Sequence, residues 1–408
     1  MEAGRPDPGA PSSRLTVALF AGGVATFAEL YAVQAVLPGL AAEWRLSESQ
    51  ATLAVSVATG ALAVSVLPWA AVGDRIGRAR AMRVSAVIAA LCGLLVAAAP
   101  SFEVLLALRA VSGAALGALP ALAVAHLVSS ALPARLAAVG GLYIAGTTIG
   151  GLSGRVLTGA VGGLFGWRWG LVTTAAFVAI AATVFVVLLE SPATVRAVDH
   201  LGGPPPESQR TRLRLALADR VALVFYAQAF LLMGAFVTIY NLLSFRLIAD
   251  PYRLPGSVVS LLFLTYLVGT LGSSGVGRLV AGLGRRRVLA GAGLIMAVGS
   301  AITILTPLWC VLAGLVLLTF AFFVAHAIAA TWAGERVPAA RSQASAIYSL
   351  AYYAGSSVIG LVGAALYARG GWPAAMAMVV LATGAAALVA FLGAPRLDRP
   401  PKRQSSSV

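Results

Sequence analysis

Runs of apolar residues long enough to cross a hydrocarbon core, about 20 residues each, begin near Leu15, Ala51, Met82, Val104, Leu136, Trp169, Val221, Val258, Val288, Leu308, Ala344 and Pro373. Twelve such runs narrow the fold sharply. In lipid every backbone N–H and C=O must be bonded within the protein, so a spanning chain is helical or a closed barrel. These runs are continuous and rich in Ala and Leu rather than alternating at period two, which predicts helices. Gly, Pro and short polar turns separate them, as at Ala99-Pro100-Ser101 and Thr306-Pro307. With 60% hydrophobic and 11% charged residues, the chain carries more apolar surface than a soluble domain of 408 residues can bury.

The net charge of +15 would point to nucleic acid in a soluble protein. Here the basic residues lie in short loops between spans, and no nucleic acid partner is expected. One set of alternate loops holds Arg75, Arg78, Arg80 and Arg83, then Arg135, Arg196 to Arg220, Arg285 to Arg287, Arg336 and Arg341. The opposite loops hold Arg45, Arg168, Arg246, Arg253 and Arg369. By the positive-inside rule the richer set is cytoplasmic and both termini with it. The first apolar run is too long for a signal-peptide core, so it is expected to stay as a helix. Cys92 and Cys310 both fall inside apolar runs, in opposite halves, and support neither a disulfide framework nor a metal site. No cofactor is expected.

One unit occurs twice. The polar hairpin Ala71 to Met82 has a worn copy, Gly277 to Arg287, at an offset of 207. Trp44-Arg45-Leu46 matches Tyr252-Arg253-Leu254, and Phe27 and Tyr31 match Phe236 and Tyr240. Ala145 to Leu152 parallels Ala354 to Leu361, and Gly166-Trp167 is echoed by Gly371-Trp372. All offsets lie between 205 and 209. The expected architecture is an all-α membrane protein: twelve transmembrane helices in two pseudo-symmetric six-helix bundles. The boundaries are a cytoplasmic tail 1–14, a first bundle 15–190, a flexible cytoplasmic linker 191–220, a second bundle 221–394 and a tail 395–408. A binding site between the two bundles is the usual consequence of such duplication.

Over essentially its whole length the chain resembles the major facilitator superfamily, and within it the YnfM-type inner-membrane transport proteins grouped with arabinose-efflux-like permeases. The match rests on Leu30 to Gln34 with Leu37-Pro38, on Gly73-Asp74-Arg75-Ile76-Gly77-Arg78, and on Arg109 with Gly113. It continues through Tyr240-Asn241, His326 and Tyr352 to Ser357. The resemblance implies alternating access, with two bundles rocking around a central site and transport coupled to an ion gradient, usually protons. It also implies gating by Gly73, Asp74, Arg75, Gly77 and Arg78, with Asp74 meeting the start of the eleventh helix near Ser342. Gly277, Gly284 and Arg285 form the second copy. There the acidic position is Ala281, so the second gate should be weaker. The usual leading glycine of the hairpin is Ala70, and the fifth-helix segment Gly146 to Gly151 lacks the proline of the antiporter signature, which weighs against antiport.

Glu29 is the one carboxylate well inside a span. An unpaired charge there costs about 2.5–3.5 kcal/mol, so it needs a partner or a proton. Phe27, Tyr31 and Gln34 share one helical face and Glu29 points nearly opposite, into its own bundle. Arg155 lies at a similar depth, counting about 1.5 Å per residue, and a Glu29–Arg155 pair is expected. Glu29 then either carries a proton or forms a structural pair. Arg109, about two turns inside the fourth span, matches an arginine linked in the superfamily to proton transfer, or it anchors its own bundle. His326, with Phe322 one turn before it, titrates near neutrality and suits either proton coupling or a flat ligand. Tyr31, Gln34, Tyr240, Asn241, Phe322, His326, Tyr352 and Ser356 are the candidate substrate contacts. Aromatic and amide groups bind mixed polar–apolar ligands without fixed charge. Glu29, Arg109, Arg155 and His326 are the candidate proton-coupling groups, and the glycines from Gly146 to Gly154 serve close helix packing.

The expected function is secondary transport of a small organic molecule across a bacterial cytoplasmic membrane by a lipid-embedded monomer, with protons as coupling ion. Proton-coupled efflux of a drug or metabolite leads, with uptake by symport or facilitated exchange as the rival. A receptor or enzyme has no motif in its favour. A phosphate loop needs Gly-Lys-Ser/Thr, and the single lysine is Lys402 in the tail. The purified chain should therefore release no phosphate from ATP in a colorimetric assay, with or without a candidate substrate.

Overall fold

The computed structural model describes residues 13–130, 133–189 and 209–394, and every regular element among them is helical. The first span breaks in its middle: α1 (Ser13–Tyr31) passes into a 3-10 turn, Ala32–Val36, before α2 (Leu37–Trp44). Pro38 is the cause, since it has no N–H for the carbonyl of Gln34 and its ring crowds that turn. α3 (Glu48–Ile76) starts on a capping box in which Ser47 Oγ accepts from the Gln50 amide and Gln50 Oε1 accepts from the Ser47 amide. α4 (Arg78–Ala97), α5 (Phe102–Leu116) with α6 (Ala118–Ser130), α7 (Pro133–Phe165) and α8 (Trp167–Leu188) complete the first half.

The second half opens with α9 (Gln209–Ala218) and α10 (Arg220–Ile248). Its next span is segmented into α11 (Gly256–Ser260), a 3-10 turn Leu261–Thr265, α12 (Tyr266–Ser274) and α13 (Val276–Leu283). α14 (Arg285–Ile302), α15 (Leu308–Arg336) and α16 (Arg341–Gly393) follow. Nine stretches among the described residues are long and apolar enough to cross a membrane. The last of them turns back where Gly370 and Gly371 leave helical geometry, which makes two crossings of α16. With α7 and α14 the described residues account for the twelve expected spans.

The expected linker is in part ordered. Residues 190–208, with the proline run and Arg196, lie outside the described residues, as do 1–12 and 395–408 of the tails. Arg210, Arg212 and Arg214, however, ride on α9, whose Arg, Leu and Ala residues are strong helix formers. Ala216 is buried and its carbonyl accepts from Tyr226 Oη at 3.3 Å. Asp219 then caps α10, accepting from the amides of Val221 and Ala222 at 2.9 Å and from Arg336 Nε at 3.0 Å. Partial burial pushes the Asp219 carboxyl up, but these bonds outweigh it and hold it below the usual carboxylate range.

The duplication seen in the sequence repeats in the backbone. Positive φ recurs at Arg45 (53°) and Arg253 (46°), at Gly77 (91°) and Gly284 (79°), and at Gly166 (92°) and Gly371 (65°). A non-glycine residue with positive φ is uncommon, so two arginines 208 positions apart sharing it mark one turn used twice. The tightest helix crossings repeat as well. Methyl groups on Gly146, Gly150 or Gly154 of α7 would overlap the backbone of α1 at Phe20, Val24 and Ala28, and one on Gly355 of α16 would overlap the Phe230 carbonyl of α10.

Between the halves, contact is concentrated at the arginine-poor end and mid-span. Gly163 and Gly159 of α7 sit directly on Ser257 and Ser260 of α11. Ser357 Oγ of α16 donates to the Ser56 carbonyl of α3 at 2.8 Å. At the arginine-rich end α13 has no buried residue. An alanine at Gly150 should lower the melting temperature of the purified protein by an amount equivalent to about 1–3 kcal/mol, the usual cost of overpacking. Alanine at Gly141 on the same helix, where a methyl meets nothing within 4 Å, should leave it unchanged or slightly raised.

Candidate functional site

The 3-10 turn after Tyr31 delivers Gln34, fully buried, to the plane where the halves meet. Gln34 Nε2 donates to Asn241 Oδ1 of α10 at 2.5 Å, and Gln34 Oε1 accepts from Arg155 Nε of α7. Gln34 and Asn241 are 207 positions apart, two short of the offset that relates Phe27 and Tyr31 to Phe236 and Tyr240, so corresponding segments of the two copies meet across the interface through non-equivalent residues. Arg155 is 2% exposed. Its Nη1 donates to the Gly151 carbonyl at 2.6 Å, and its guanidinium lies over Tyr31 at 4.2 Å, Tyr266 at 4.9 Å and Phe263 at 5.4 Å. Among the described residues two buried polar atoms at this junction, Ser56 Oγ and Asn241 Nδ2, have no hydrogen-bond partner, and the hydroxyls of Tyr31 and Ser356 are answered at most by each other. Ser356 stands beside Tyr31, and Ser56 Oγ and Asn241 Nδ2 flank Gly360.

An aromatic wall continues from the junction into the second half. Tyr240 is fully enclosed, its hydroxyl shared with Thr265 Oγ1 and Thr319 Oγ1 at 2.7 Å each, so it stands as a pillar behind the site. Phe236 stacks on Phe322 with centroids 4.0 Å apart, and Phe322 on His326 at 5.7 Å. His326 is half-buried against Tyr352 at 4.9 Å, and its Nδ1 shares a proton with Tyr348 Oη at 2.8 Å. His326 thus has a hydroxyl partner that the sequence reading did not supply.

Glu29 does point into its own bundle, but its partner is Arg109 and not Arg155. Arg109 Nη1 lies 3.2 Å from Glu29 Oε1, with side-chain exposures of 1% and 5%. The same guanidinium caps the end of α1: Nη1 donates to the Glu29 carbonyl at 3.1 Å, Nη2 to the Leu30 carbonyl, and Nε to the Ala54 carbonyl of α3 at 3.0 Å. The carbonyls of Glu29 and Leu30 are ones that the break at Tyr31 leaves in need of donors. Two glycines make room. A methyl on Gly93 of α4 would overlap Glu29 Oε2, and one on Gly113 would overlap the Ala58 carbonyl. Gly113 and Ala58 touch one turn from Arg109 and Ala54, which gives the Arg109 to Gly113 spacing its geometric reason. Equal depth placed Arg155 beside Glu29 in the sequence reading, but depth along a span does not fix which helix is the neighbour.

The hairpin residues occupy the arginine-rich end. Gly73 is buried, and a methyl there would overlap Leu122 of α6. Gly77 and Gly284 hold positive φ at the turns, and Gly277 is exposed. Asp74 and Arg75 are exposed, Arg78 is half-buried, and among the described residues Asp74 makes no ion pair or hydrogen bond. In the second copy Arg285 bridges to Glu335 at 3.2 Å and lies over the Trp332 ring at 4.6 Å.

The family model of the Major Facilitator Superfamily matches residues 19–282 and 229–408. The chain belongs to that superfamily. It is 35% identical over 386 residues to the inner membrane transport protein YnfM of Escherichia coli (strain K12), covering 95% of this chain and 91% of that protein. It is 32% identical over 377 residues to the uncharacterized MFS-type transporter YybF of Bacillus subtilis (strain 168), covering 90% of each. In fold it superposes on a bacterial homolog of the human lysosomal transporter Spinster, inward-facing and unoccupied, with a TM-score of 0.78 at 17% identity over 94% of this chain and 98% of that one. A mutant of the nucleoside transporter NupG gives 0.71 at 16% over 92% and 98%.

Membership makes this major facilitator a multi-pass inner-membrane protein that moves a small molecule, not an enzyme. The site contains groups the sequence reading passed over: Ser56, Phe263, Tyr266 and Tyr348. Tyr348 had a signal, since it lies one turn before Tyr352 on the same helix face. Phe263 and Tyr266 had none, because a segmented span gives no steady helical face. Arg109→Met would leave the Glu29 carboxylate buried without a counter-charge, which costs about 3–5 kcal/mol. Its folded yield on size exclusion and its melting temperature should fall well below wild type, and the double variant Glu29→Gln/Arg109→Gln should recover much of the loss.

Proposed function

We propose that the chain is a secondary transporter working by alternating access, most simply a proton-coupled exporter of a small organic molecule from the cytoplasm. In this reading residues 15–190 and 221–394 are the two moving bodies, 191–220 ties them together, and both termini are cytoplasmic. The observation that carries it is the Arg155–Gln34–Asn241 junction: a polar, aromatic-walled contact buried mid-span between the halves. Its surroundings fit a gate held shut on one side. The halves pack closely where α7 meets α11, while at the other end Asp74 makes no ion pair or hydrogen bond among the described residues and α13 has no buried residue.

The geometry suits two separate tasks. Glu29 and Arg109 lie within the first half and brace it. His326 faces the aromatic wall, where a second proton on its imidazole would make Nδ1 a donor to Tyr348 Oη and add a cation beside the site. That makes His326 the preferred proton-coupling group. The absence of a proline from Gly146 to Gly151 favours a second reading, uptake by symport.

Flux in liposomes separates the readings. Protein reconstituted with a panel of radiolabelled carboxylates, amides and amines should drive at least one compound against its gradient when a pH gradient is imposed, moving opposite to protons. Movement with the protons selects symport, and flux indifferent to the gradient selects a facilitator. His326→Ala should retain exchange of that compound while losing at least about tenfold of the gradient-driven accumulation.

A further inference from the structure

We propose that Arg155 anchors a negatively charged substrate, a small organic acid whose carboxylate binds at the junction of the halves and whose flat body rests on the aromatic wall. The inference deepens the transport reading above and rests on it. It begins from the charges inside the spans. Among the described residues, Glu29, Arg109 and Arg155 are the nearly fully buried charged side chains remote from the span ends. Glu29 and Arg109 answer each other. Arg246, at the arginine-poor end, donates to the carbonyls of Thr303 and Leu305 where α14 finishes, the place a helix favours a cation. The hydrogen-bond partners of Arg155 are an amide oxygen and a backbone carbonyl, both neutral. Among the described residues its charge thus meets aromatic rings and neutral acceptors but no carboxylate, and it sits where the two halves meet.

The polar atoms around it are out of balance in the same sense. A guanidinium has five N–H donors and accepts nothing. Around the junction stand the Asn241 Nδ2 amide and the Ser56 hydroxyl, without a partner among the described residues, and the hydroxyls of Tyr31 and Ser356, which can turn an O–H toward an acceptor. The side-chain acceptors at the junction, Gln34 Oε1 and Asn241 Oδ1, are already engaged. A buried cation with no acidic partner, a spare amide N–H and hydroxyls free to turn their O–H inward suit a ligand that carries negative charge and only accepts. A carboxylate does so with two oxygens and about four lone-pair positions. A protonated amine would meet repulsion, and an amide would bring no charge to answer the guanidinium. Placement adds a second argument. Arg155, Tyr31 and Ser56 belong to the first half and Asn241 and Ser356 to the second, so an anion held here bonds to both and its binding depends on how the halves are set. Its body would lie against Tyr31 and Tyr266 toward Phe323 and Tyr352. The sequence alone gave few fixed charges to the site because it assigned Arg155 to Glu29. With Arg109 in that place, the site gains a free cation.

The test uses full-length protein in lipid nanodiscs and three matched pairs: benzoate with benzamide, salicylate with salicylamide, and indole-3-acetate with indole-3-acetamide. Binding is followed by thermal shift and by titration of intrinsic fluorescence. At least one carboxylate should bind at least about tenfold more tightly than its amide, as charge-assisted bonds require. Gln34→Glu places an internal carboxylate against Arg155. It should raise the melting temperature without ligand and abolish the preference for carboxylates, and Arg155→Gln should abolish the preference too. Equal binding of acids and amides, binding of no acid in the panel, or a preference that survives in Gln34→Glu would overturn the proposal. Liposome exchange keeps the two readings apart. Flux of amines or amides but not acids leaves transport standing and removes the anion site. Acid-selective binding with no flux of any compound retains the anion site and ends the transport reading.

Discussion

The ion pair between Glu29 and Arg109 decides how every other charge inside the spans is read. A carboxylate in the bilayer must find a cation or a proton, and Arg109 meets that need while holding the loose carbonyls at the end of α1. One guanidinium thereby fixes α1, α3 and α5 to one another, with Gly93 and Gly113 giving the clearance. Because the carboxylate is taken there, Arg155 has no acidic partner and turns to the contact between the halves.

That contact departs from the symmetry around it. The two copies share their turns, their positive-φ residues and their glycine crossings, yet at the centre Gln34 faces Asn241 and an arginine stands on one side alone. Symmetric turns and crossings build the frame, whereas the asymmetric groups stand where the two copies touch. The broken first span has the same logic: a proline ends α1, and the resulting 3-10 turn presents Gln34 where a continuous helix would have sent it elsewhere.

Much of this was legible beforehand, for identifiable reasons. Spans, repeat and hairpins follow from hydropathy and offset, which burial in lipid enforces strongly. The direction of Glu29 followed from its angle relative to Phe27 and Tyr31. Its partner did not follow, because rise per residue gives depth and says nothing about which helices are adjacent. The ordered part of the linker was hidden by counting arginines and prolines, although the Leu and Ala between the arginines carried the helix signal. His326 was found as a titratable residue on an aromatic helix, but Tyr348 joins it only through the packing of α15 on α16.

The glycine crossings of α7 on α1 and of α16 on α10 have a mechanical corollary. Backbones pressed together at Gly146, Gly150 and Gly154, and again at Gly355, have no side-chain cushion to shear through. Each pair is thereby held as one stiff rod. Across the halves the join is of another kind: where α3 meets α16 a serine side chain, not glycine-pressed backbone, makes the contact, Ser357 Oγ donating to the Ser56 carbonyl.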